Sequence, residues 1–145
     1  MDGYQVVFEH EVLFRDLDAM GHVNNVAFLA FMEDARVQYW RALKTERGLK
    51  GINFILAEVT CRYLSPAYFG ETLVIGIRAL NLGNKSFHFD YRMEEKGGGR
   101  LVAEGSSVQV MYDYKRKQST SIGEKMRDGV AALEQWEQTD IAARR

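Results

Sequence analysis

The alternation of apolar and polar positions divides the chain into strand-like runs and two helical segments. The first two turns of the run Val26–Leu43 are apolar on every side, and charged residues enter only later. A surface helix shows one apolar stripe, so this pattern predicts a helix that is covered on nearly all sides. Asn24 or Asn25 is suited to cap its start, and Gly48 and Gly51 are suited to end it.

Five other runs have the composition and alternation that are typical of strands. In the first run, Phe8, Val12 and Phe14 share one face, and His10 lies among them. Short turn-forming segments separate the last three runs, which predicts an antiparallel meander. The predicted strands are Val6–Arg15, Asn53–Leu64, Thr72–Leu82, Ser86–Glu95 and Arg100–Tyr114.

The tail of the chain predicts a second helix, at about residues 121–137. Ser121 and Glu124 match a capping box, and an apolar stripe should pack on the body of the domain or on another subunit. A strand, a helix buried all round and four long strands require a sheet that curls about the helix. One small sheet cannot cover every side, so we expect a second subunit to do so. The stripe consists of Ile122, Met126, Val130 and Leu133.

Composition narrows the class of protein. The 145 residues suit one domain, and 46% hydrophobic with 27% charged residues is typical of a globular protein. A net charge of −1 argues against a nucleic-acid binder. The longest uncharged stretch, residues 19–32, is too short to span a bilayer, and no signal peptide is expected. The single cysteine, Cys61, suits a reducing cytoplasm.

The segment Arg15–Asn25 concentrates polar side chains between a predicted strand and the buried helix. The positive end of a helix dipole offers unpaired N–H groups, which suit an anion or a developing oxyanion. A carboxylate beside it could act as a nucleophile or as the base that activates a water molecule. The segment therefore suits acyl-transfer chemistry.

Other interpretations of the same residues stay open. Asp18 could be only a turn residue, Asn24 is first of all a helix cap, and Asp16 suits a solvated or structural carboxylate. Asp16, Asp18 and His22 could also be metal ligands, but their spacing matches no zinc pattern. Cys61 lies in the middle of a predicted strand and is better interpreted as a small buried thiol than as a nucleophile.

The motif Asp18–Asn25 (DAMGHVNN), with Phe28 and the run Met32–Arg36 after it, resembles the 4-hydroxybenzoyl-CoA thioesterase family of the hotdog fold. The likeness spans about Val7–Tyr114, and the tail helix lies outside it. It implies a single α+β hotdog domain over residues 1–145, with a core at about 4–115. In that fold a five-stranded antiparallel sheet wraps a long central helix, and here an extra C-terminal helix follows. The resemblance also implies a homodimer or homotetramer with active sites at the interface.

The resemblance further implies a cytoplasmic acyl-CoA thioesterase that needs no metal or organic cofactor. Asp18 matches the family's catalytic carboxylate, and the backbone N–H of Asn25 matches its oxyanion donor. His22 matches a histidine of the related plant acyl carrier protein thioesterases, whose asparagine position is Met20 in this chain. His22 is therefore expected to orient or polarise the substrate, and the chemistry is expected to rest on Asp18.

The phosphates of coenzyme A need cations near the mouth of a pocket. Lys115, Arg116 and Arg62 are the candidates, although the charged run can equally be a solvated face, and Asn24 is a further substrate-binding candidate. Two other functions stay open: a hotdog module that binds acyl-CoA without cleaving it, and a dehydratase that acts on hydroxyacyl thioesters. Asp18 argues against pure binding. The acyl group, and the choice between coenzyme A and acyl carrier protein, are not predicted.

Overall fold

A computed structural model describes residues 1–44, 53–137 and 140 of the chain. Within these residues, six strands form one antiparallel sheet, and two α-helices pack against it. The strands are β1 (Val6–Glu11), β2 (Phe54–Tyr63), β3 (Thr72–Leu82), β4 (Ser86–Glu95), β5 (Leu101–Asp113) and β6 (Gln118–Ser119), and the helices are α1 (Asn25–Leu43) and α2 (Glu124–Glu134).

The strand order is β1-β3-β4-β5-β2, and the two residues of β6 extend the sheet beyond the end of β5. The predicted meander of β3, β4 and β5 is confirmed. β1 and β2 are the opposite ends of that order, yet both contact α1. The sheet must therefore curl about the helix, as the predicted hotdog architecture requires.

The ends of α1 follow from local hydrogen bonding. Asn24 is the N-cap, and its side-chain oxygen accepts the Val26 N–H at 3.0 Å, which confirms one of the two predicted caps. Lys44 closes the other end in the left-handed conformation, with φ of 51°. Gly48 and Gly51, which were expected to end the helix, lie outside the described residues.

A single chain covers only part of α1. Val26 is 62% exposed, and Ala30 and Glu33 are also exposed. The chain itself therefore leaves this side of α1 open, although the sequence predicted a helix that is covered on nearly all sides. The opposite side packs into the core with Phe28, Phe31, Met32, Ala35, Arg36, Tyr39 and Trp40.

The first strand is shorter than the predicted run Val6–Arg15. β1 ends at Glu11, and residues 14–16 form a short 3-10 helix. The physical reason is the Asp16 carboxylate, which accepts the Leu13 N–H at 2.9 Å and so turns the chain out of the sheet. Phe14, which was expected to share a strand face with Phe8 and Val12, is 81% exposed as a result.

The start of α2 differs from the predicted capping box. The N-cap is Gly123, without a side-chain hydrogen bond, so Ser121 does not cap the helix. The approach to the helix is instead fixed by the N–H of the buried Ile122, which donates to the Asn84 carbonyl at 2.8 Å. The helix also ends at Glu134, before the predicted boundary at residue 137.

The apolar face of α2 packs on the body of the same chain, where Val130 is buried in the core. Glu134 reinforces this contact. One of its carboxylate oxygens accepts the Tyr39 hydroxyl of α1 at 2.8 Å and the Ala79 N–H of β3 at 2.6 Å. The C-terminal helix is thus tied to both the central helix and the sheet.

Candidate active site

A pocket of about 390 Å³ opens between the start of α1, the loop before it and the segment that follows β2. It brings together three predicted site residues, Asp18, His22 and Asn25. Its complete lining is Asp18, Met20, His22, Val23, Asn25, Phe28, Tyr63, Leu64, Ser65 and Pro66.

Asp18 lies in a tight turn that is closed by backbone hydrogen bonds. Its N–H donates to the His22 carbonyl at 3.2 Å, and its carbonyl accepts the Gly21 N–H at 3.1 Å. Gly21 has φ of 84°, a left-handed conformation that glycine adopts without strain. Asp18 Oδ1 accepts the Met20 N–H at 2.9 Å, whereas Oδ2 has no hydrogen bond to any described residue. Oδ2 is therefore the oxygen that can act on a substrate or a water molecule.

Asn25 places an unused donor at the same pocket. It is the first residue of α1, so its N–H has no acceptor within the helix. The neighbouring donors are taken, since Val26 N–H bonds to the Asn24 side chain and Ala27 N–H to the Asn24 carbonyl. Across the part of the chain that the structure describes, the Asn25 N–H has no partner. It is thus a donor at the positive end of the helix dipole, where an oxyanion would be stabilised.

His22 lines the pocket but is not joined to Asp18 through its ring. Its Nδ1 lies 3.4 Å from the Val23 carbonyl, which is a long contact, and no hydrogen bond links its side chain to that of Asp18. The ring is half-buried. The arrangement leaves His22 able to contact a bound thioester, and it does not form a histidine–aspartate pair.

Tyr63 is a pocket residue to which the sequence analysis gave no role. Its hydroxyl donates to the Asn25 carbonyl at 3.1 Å, and its ring meets that of Phe28 edge-on at 5.5 Å between centroids. Partial burial raises the pKa of the Tyr63 phenol, which favours the protonated form that donates. The alternation that places Tyr63 on the same face of β2 as Cys61 and Val59 was a signal for this placement.

Cys61 is half-buried, and it is not among the residues that line the pocket. Burial raises the pKa of its thiol, which keeps the sulfur protonated. This agrees with the interpretation of Cys61 as a small packed thiol rather than a nucleophile.

The structure does not bring the predicted phosphate-binding cations to the pocket. The Arg62 side chain is 75% exposed and lies 3.6 Å from Glu104. Lys115 and Arg116 follow the far end of β5, where the Lys115 N–H donates to Asp113 at 2.9 Å. Tyr63 pairs with Ala103 near the other end of that strand. Ten residues of strand separate these two ends, or about 33 Å at the usual rise per residue.

Asn24 likewise does not line the pocket, and its side chain serves as the cap of α1. Arg100, which the sequence analysis did not select, does not line the pocket either, but it contacts a residue that does. Its guanidinium donates to the carbonyl of the lining residue Pro66 at 3.1 Å and to Glu71 at 2.6 Å. No local pattern marks this contact, because it joins residues 34 positions apart.

Two other kinds of feature are absent from the described part of the chain. No helix there is long and apolar enough to cross a membrane. No group of three or more His, Cys, Asp or Glu side chains among these residues is arranged to hold a metal ion.

Comparisons with known proteins show the family to which the chain belongs. Residues 12–130 match a family model described as the thioesterase-like superfamily. The long-chain acyl-CoA thioesterase FadM of Escherichia coli is 26% identical over 117 residues, which cover 77% of this chain and 86% of that protein. A 1,4-dihydroxy-2-naphthoyl-CoA hydrolase of Synechococcus elongatus is 27% identical over 135 residues, which cover 88% and 95%.

A solved thioesterase structure is also similar to this chain. A thioesterase of Thermus thermophilus, crystallised with coenzyme A and Zn, superposes with a TM-score of 0.85 and is 31% identical. The match covers 94% of this chain and 99% of the Thermus chain.

Proposed function

The chain belongs to the thioesterase-like superfamily and is a thioester hydrolase of the hotdog fold, and from that premise we propose that it hydrolyses an acyl-CoA or aroyl-CoA. The products are the free acid and coenzyme A. The similar proteins named for long-chain acyl-CoA and dihydroxynaphthoyl-CoA support both acyl classes, and the coenzyme A bound by the Thermus protein supports coenzyme A as the thiol carrier.

One observation carries the proposal. Asp18 and Asn25 line the same pocket, and within the described part of the chain Asp18 Oδ2 is a carboxylate oxygen without a partner and the Asn25 N–H a backbone donor without one. Thioester hydrolysis needs a group that attacks or activates water and a donor for the oxygen that becomes negative. The pocket offers one of each.

In the proposed mechanism, the thioester carbonyl oxygen accepts the Asn25 N–H. Asp18 Oδ2 then follows one of two routes. As a nucleophile, it forms a bond to the carbonyl carbon, the C–S bond breaks, and water later cleaves the acyl–aspartyl anhydride. As a base, it takes a proton from water while the water oxygen attacks the same carbon. In both routes the sulfur leaves as the coenzyme A thiolate, and His22 is proposed to orient or polarise the thioester.

The neighbouring residues support these roles. Because Met20 N–H holds Oδ1 at 2.9 Å, the carboxylate is fixed with Oδ2 left for the reaction. Arg100 is proposed as a cation for a coenzyme A phosphate, since it contacts the lining residue Pro66. Lys115 and Arg116 stay candidates for a coenzyme A molecule held in the pocket of another subunit.

We also propose a homodimer or homotetramer. β2 forms one end of the five-strand order, and no strand among the described residues pairs with its outer side, which could therefore accept another strand. Ile55 and Leu56 on β2 are 39% and 43% exposed, and the exposed side of α1 carries Val26. Apolar surface of this kind is typical of a subunit interface. Cytoplasmic location stays a prediction.

The test is thiol release from a panel of acyl-CoAs with short, medium and long chains and with benzoyl and phenylacetyl groups. We expect wild-type protein to turn over one class and Asp18→Asn to lose a factor of about 10²–10⁴ in kcat, the usual contribution of such a group. Asp128→Asn, an exposed carboxylate on α2, is the matched control and should keep the wild-type rate.

Two results would redirect the assignment. Binding of these thioesters without thiol release by the wild type would favour the acyl-CoA-binding module. An active Asp18→Asn would show that another group performs the reaction. Transfer of ¹⁸O from water into Asp18 during a single turnover would establish the anhydride route.

A further inference from the structure

Asp16 is a buried carboxylate beside the pocket that the proposed reaction does not use. It is 9% exposed, and a carboxylate in such a place is costly unless hydrogen bonds compensate it. Both of its bonds converge on one oxygen. Oδ2 accepts His10 Nε2 at 2.8 Å and the Leu13 N–H at 2.9 Å.

His10 is fixed from two sides. Its backbone lies in β1 opposite Leu73 of β3, and its ring centroid lies 4.2 Å from that of Phe31 on α1. Phe31 in turn meets Phe28, a pocket residue, edge-on at 5.7 Å. The imidazole therefore holds Asp16 from a position that the sheet and the central helix both define.

The backbone of Asp16 connects this pair to the reacting groups. Its carbonyl accepts the Asn24 N–H at 2.8 Å, and a bridge between Leu17 and Val23 follows directly. The loop that carries Asp18 is thus closed at its base, with Asp16 on one side and Asn24 on the other. A shift of Asp16 would move the Asp18 carboxylate and the first turn of α1 relative to each other.

We propose that His10 and Asp16 are a positioning pair that sets the distance between Asp18 Oδ2 and the Asn25 N–H. This inference rests on the proposed roles of those two groups. Neither His10 nor Asp16 lines the pocket, so the pair acts through the loop and not on the substrate. Because a displacement of 1 Å in a reacting group can cost about 10²-fold in rate, loss of the pair should lower kcat while KM changes little.

The variants separate the hydrogen bond from the packing and the charge. His10→Phe keeps an aromatic ring against Phe31 and removes the donor, and we expect kcat to fall by about 10- to 100-fold. His10→Gln restores an N–H donor and should recover most of that loss. Asp16→Asn keeps an oxygen that can accept both bonds and should stay within about threefold of wild type. The control is Glu9→Gln, which should leave kcat and KM at their wild-type values. Glu9 is next to His10 in β1 but is exposed and forms an ion pair with Lys96 at 2.9 Å.

The decisive readout is coupling to Asp18. In an Asp18→Asn background, His10→Phe should cause no further fall in the residual rate, because there is no carboxylate left to position. Hydrogen exchange at the Asn24 N–H should also become faster in His10→Phe, since its acceptor is no longer held. All rates are measured well below each variant's melting midpoint, so that unfolding does not contribute.

Each outcome decides the matter. A folded His10→Phe with wild-type kcat, or an equal loss in both backgrounds, overturns the positioning pair and leaves the role of Asp18 intact. A tenfold loss in Asp16→Asn would mean that the charge itself acts, which also overturns it. If Asp18→Asn keeps full activity, the proposed role of Asp18 fails, and with it the premise of the positioning pair. Should His10→Phe not fold, Asp16→Ala takes its place. Its kcat is then compared in the wild-type and Asp18→Asn backgrounds, and its hydrogen exchange is measured at the Asn24 N–H.

Discussion

The contact between the two helices allows a sharp test of how burial of a tyrosine stabilises the fold. Tyr39 is 0% exposed, and its hydroxyl donates to Glu134 at 2.8 Å. Burial, followed by the negative charge of Glu134, raises the pKa of Tyr39 well above its ordinary value of 10.0. The perturbation is Tyr39→Phe, which keeps the ring and removes the ionisable hydroxyl.

The sign follows from proton binding. Above pH 10 the unfolded chain loses the Tyr39 proton while the folded chain keeps it, so the unfolded state binds fewer protons and stability falls as the pH rises. The stabilisation is complete below pH 10 and is lost as the pH rises toward the pKa of the folded state. Between pH 9 and pH 11, this one group makes the wild type lose about 1.4 kcal/mol in free energy of unfolding. Tyr39→Phe should not show that part of the loss.

The assay is urea unfolding at pH 9 and pH 11, at one protein concentration, because an oligomer's stability depends on concentration. Glu134→Gln is the matched control. It retains the buried Tyr39 and should keep the wild-type dependence on pH, while losing about 1 kcal/mol at pH 9 from the weaker hydrogen bonds. Equal losses in wild type and Tyr39→Phe between the two pH values would refute the reasoning.

Two further substitutions test local packing by thermal unfolding. Asn24→Ala should cost about 1 kcal/mol, because the Val26 N–H loses its cap, and Asn24→Asp should keep most of the stability; equal values for the two would contradict the cap. Gly105→Ala should cost about 1–3 kcal/mol, because its Cβ would lie 2.6 Å from the Thr60 carbonyl oxygen and 2.9 Å from Met32 Cε. In a Met32→Ala background, which is itself destabilised by the loss of a buried side chain, the added cost of Gly105→Ala should shrink only in part, since the Thr60 contact involves backbone; no added cost in that background would be evidence against that obstacle.

The elements that the sequence predicted well are those in which the apolar–polar pattern repeats over many consecutive residues. α1 and the β3–β4–β5 meander follow from the spacing of apolar residues, and their boundaries agree with the prediction to within a few residues. The predicted ends of elements are wrong where a single hydrogen bond changes the course of the backbone. The Asp16 carboxylate ends β1 early, and backbone bonding at Ile122 replaces the expected capping box at the start of α2.

The candidate site divides in the same way. The segment that contains Asp18, His22 and Asn25 is contiguous in sequence, so its residues could be found together without a structure. Tyr63 lines the site and Arg100 contacts the lining residue Pro66, through hydrogen bonds that span 38 and 34 positions. Charge alone selected other cations, because no local pattern tells which end of a strand lies beside the pocket.

The peptide between Asn24 and Asn25 shows why these long-range contacts matter for the chemistry. Its carbonyl accepts the Ala27 N–H at 3.0 Å, and the nearest polar groups of the two flanking peptides are also hydrogen-bonded. Asp16, next to the β1 side, holds the Asn24 N–H at 2.8 Å, and Tyr63, from β2, holds the Asn25 carbonyl at 3.1 Å. The two opposite ends of the curled sheet therefore restrain one peptide unit and leave only its N–H unbonded within the described residues. In the proposed mechanism, a donor fixed in this way would need no rearrangement when negative charge develops on the thioester oxygen, which is the condition under which such a donor accelerates a reaction most.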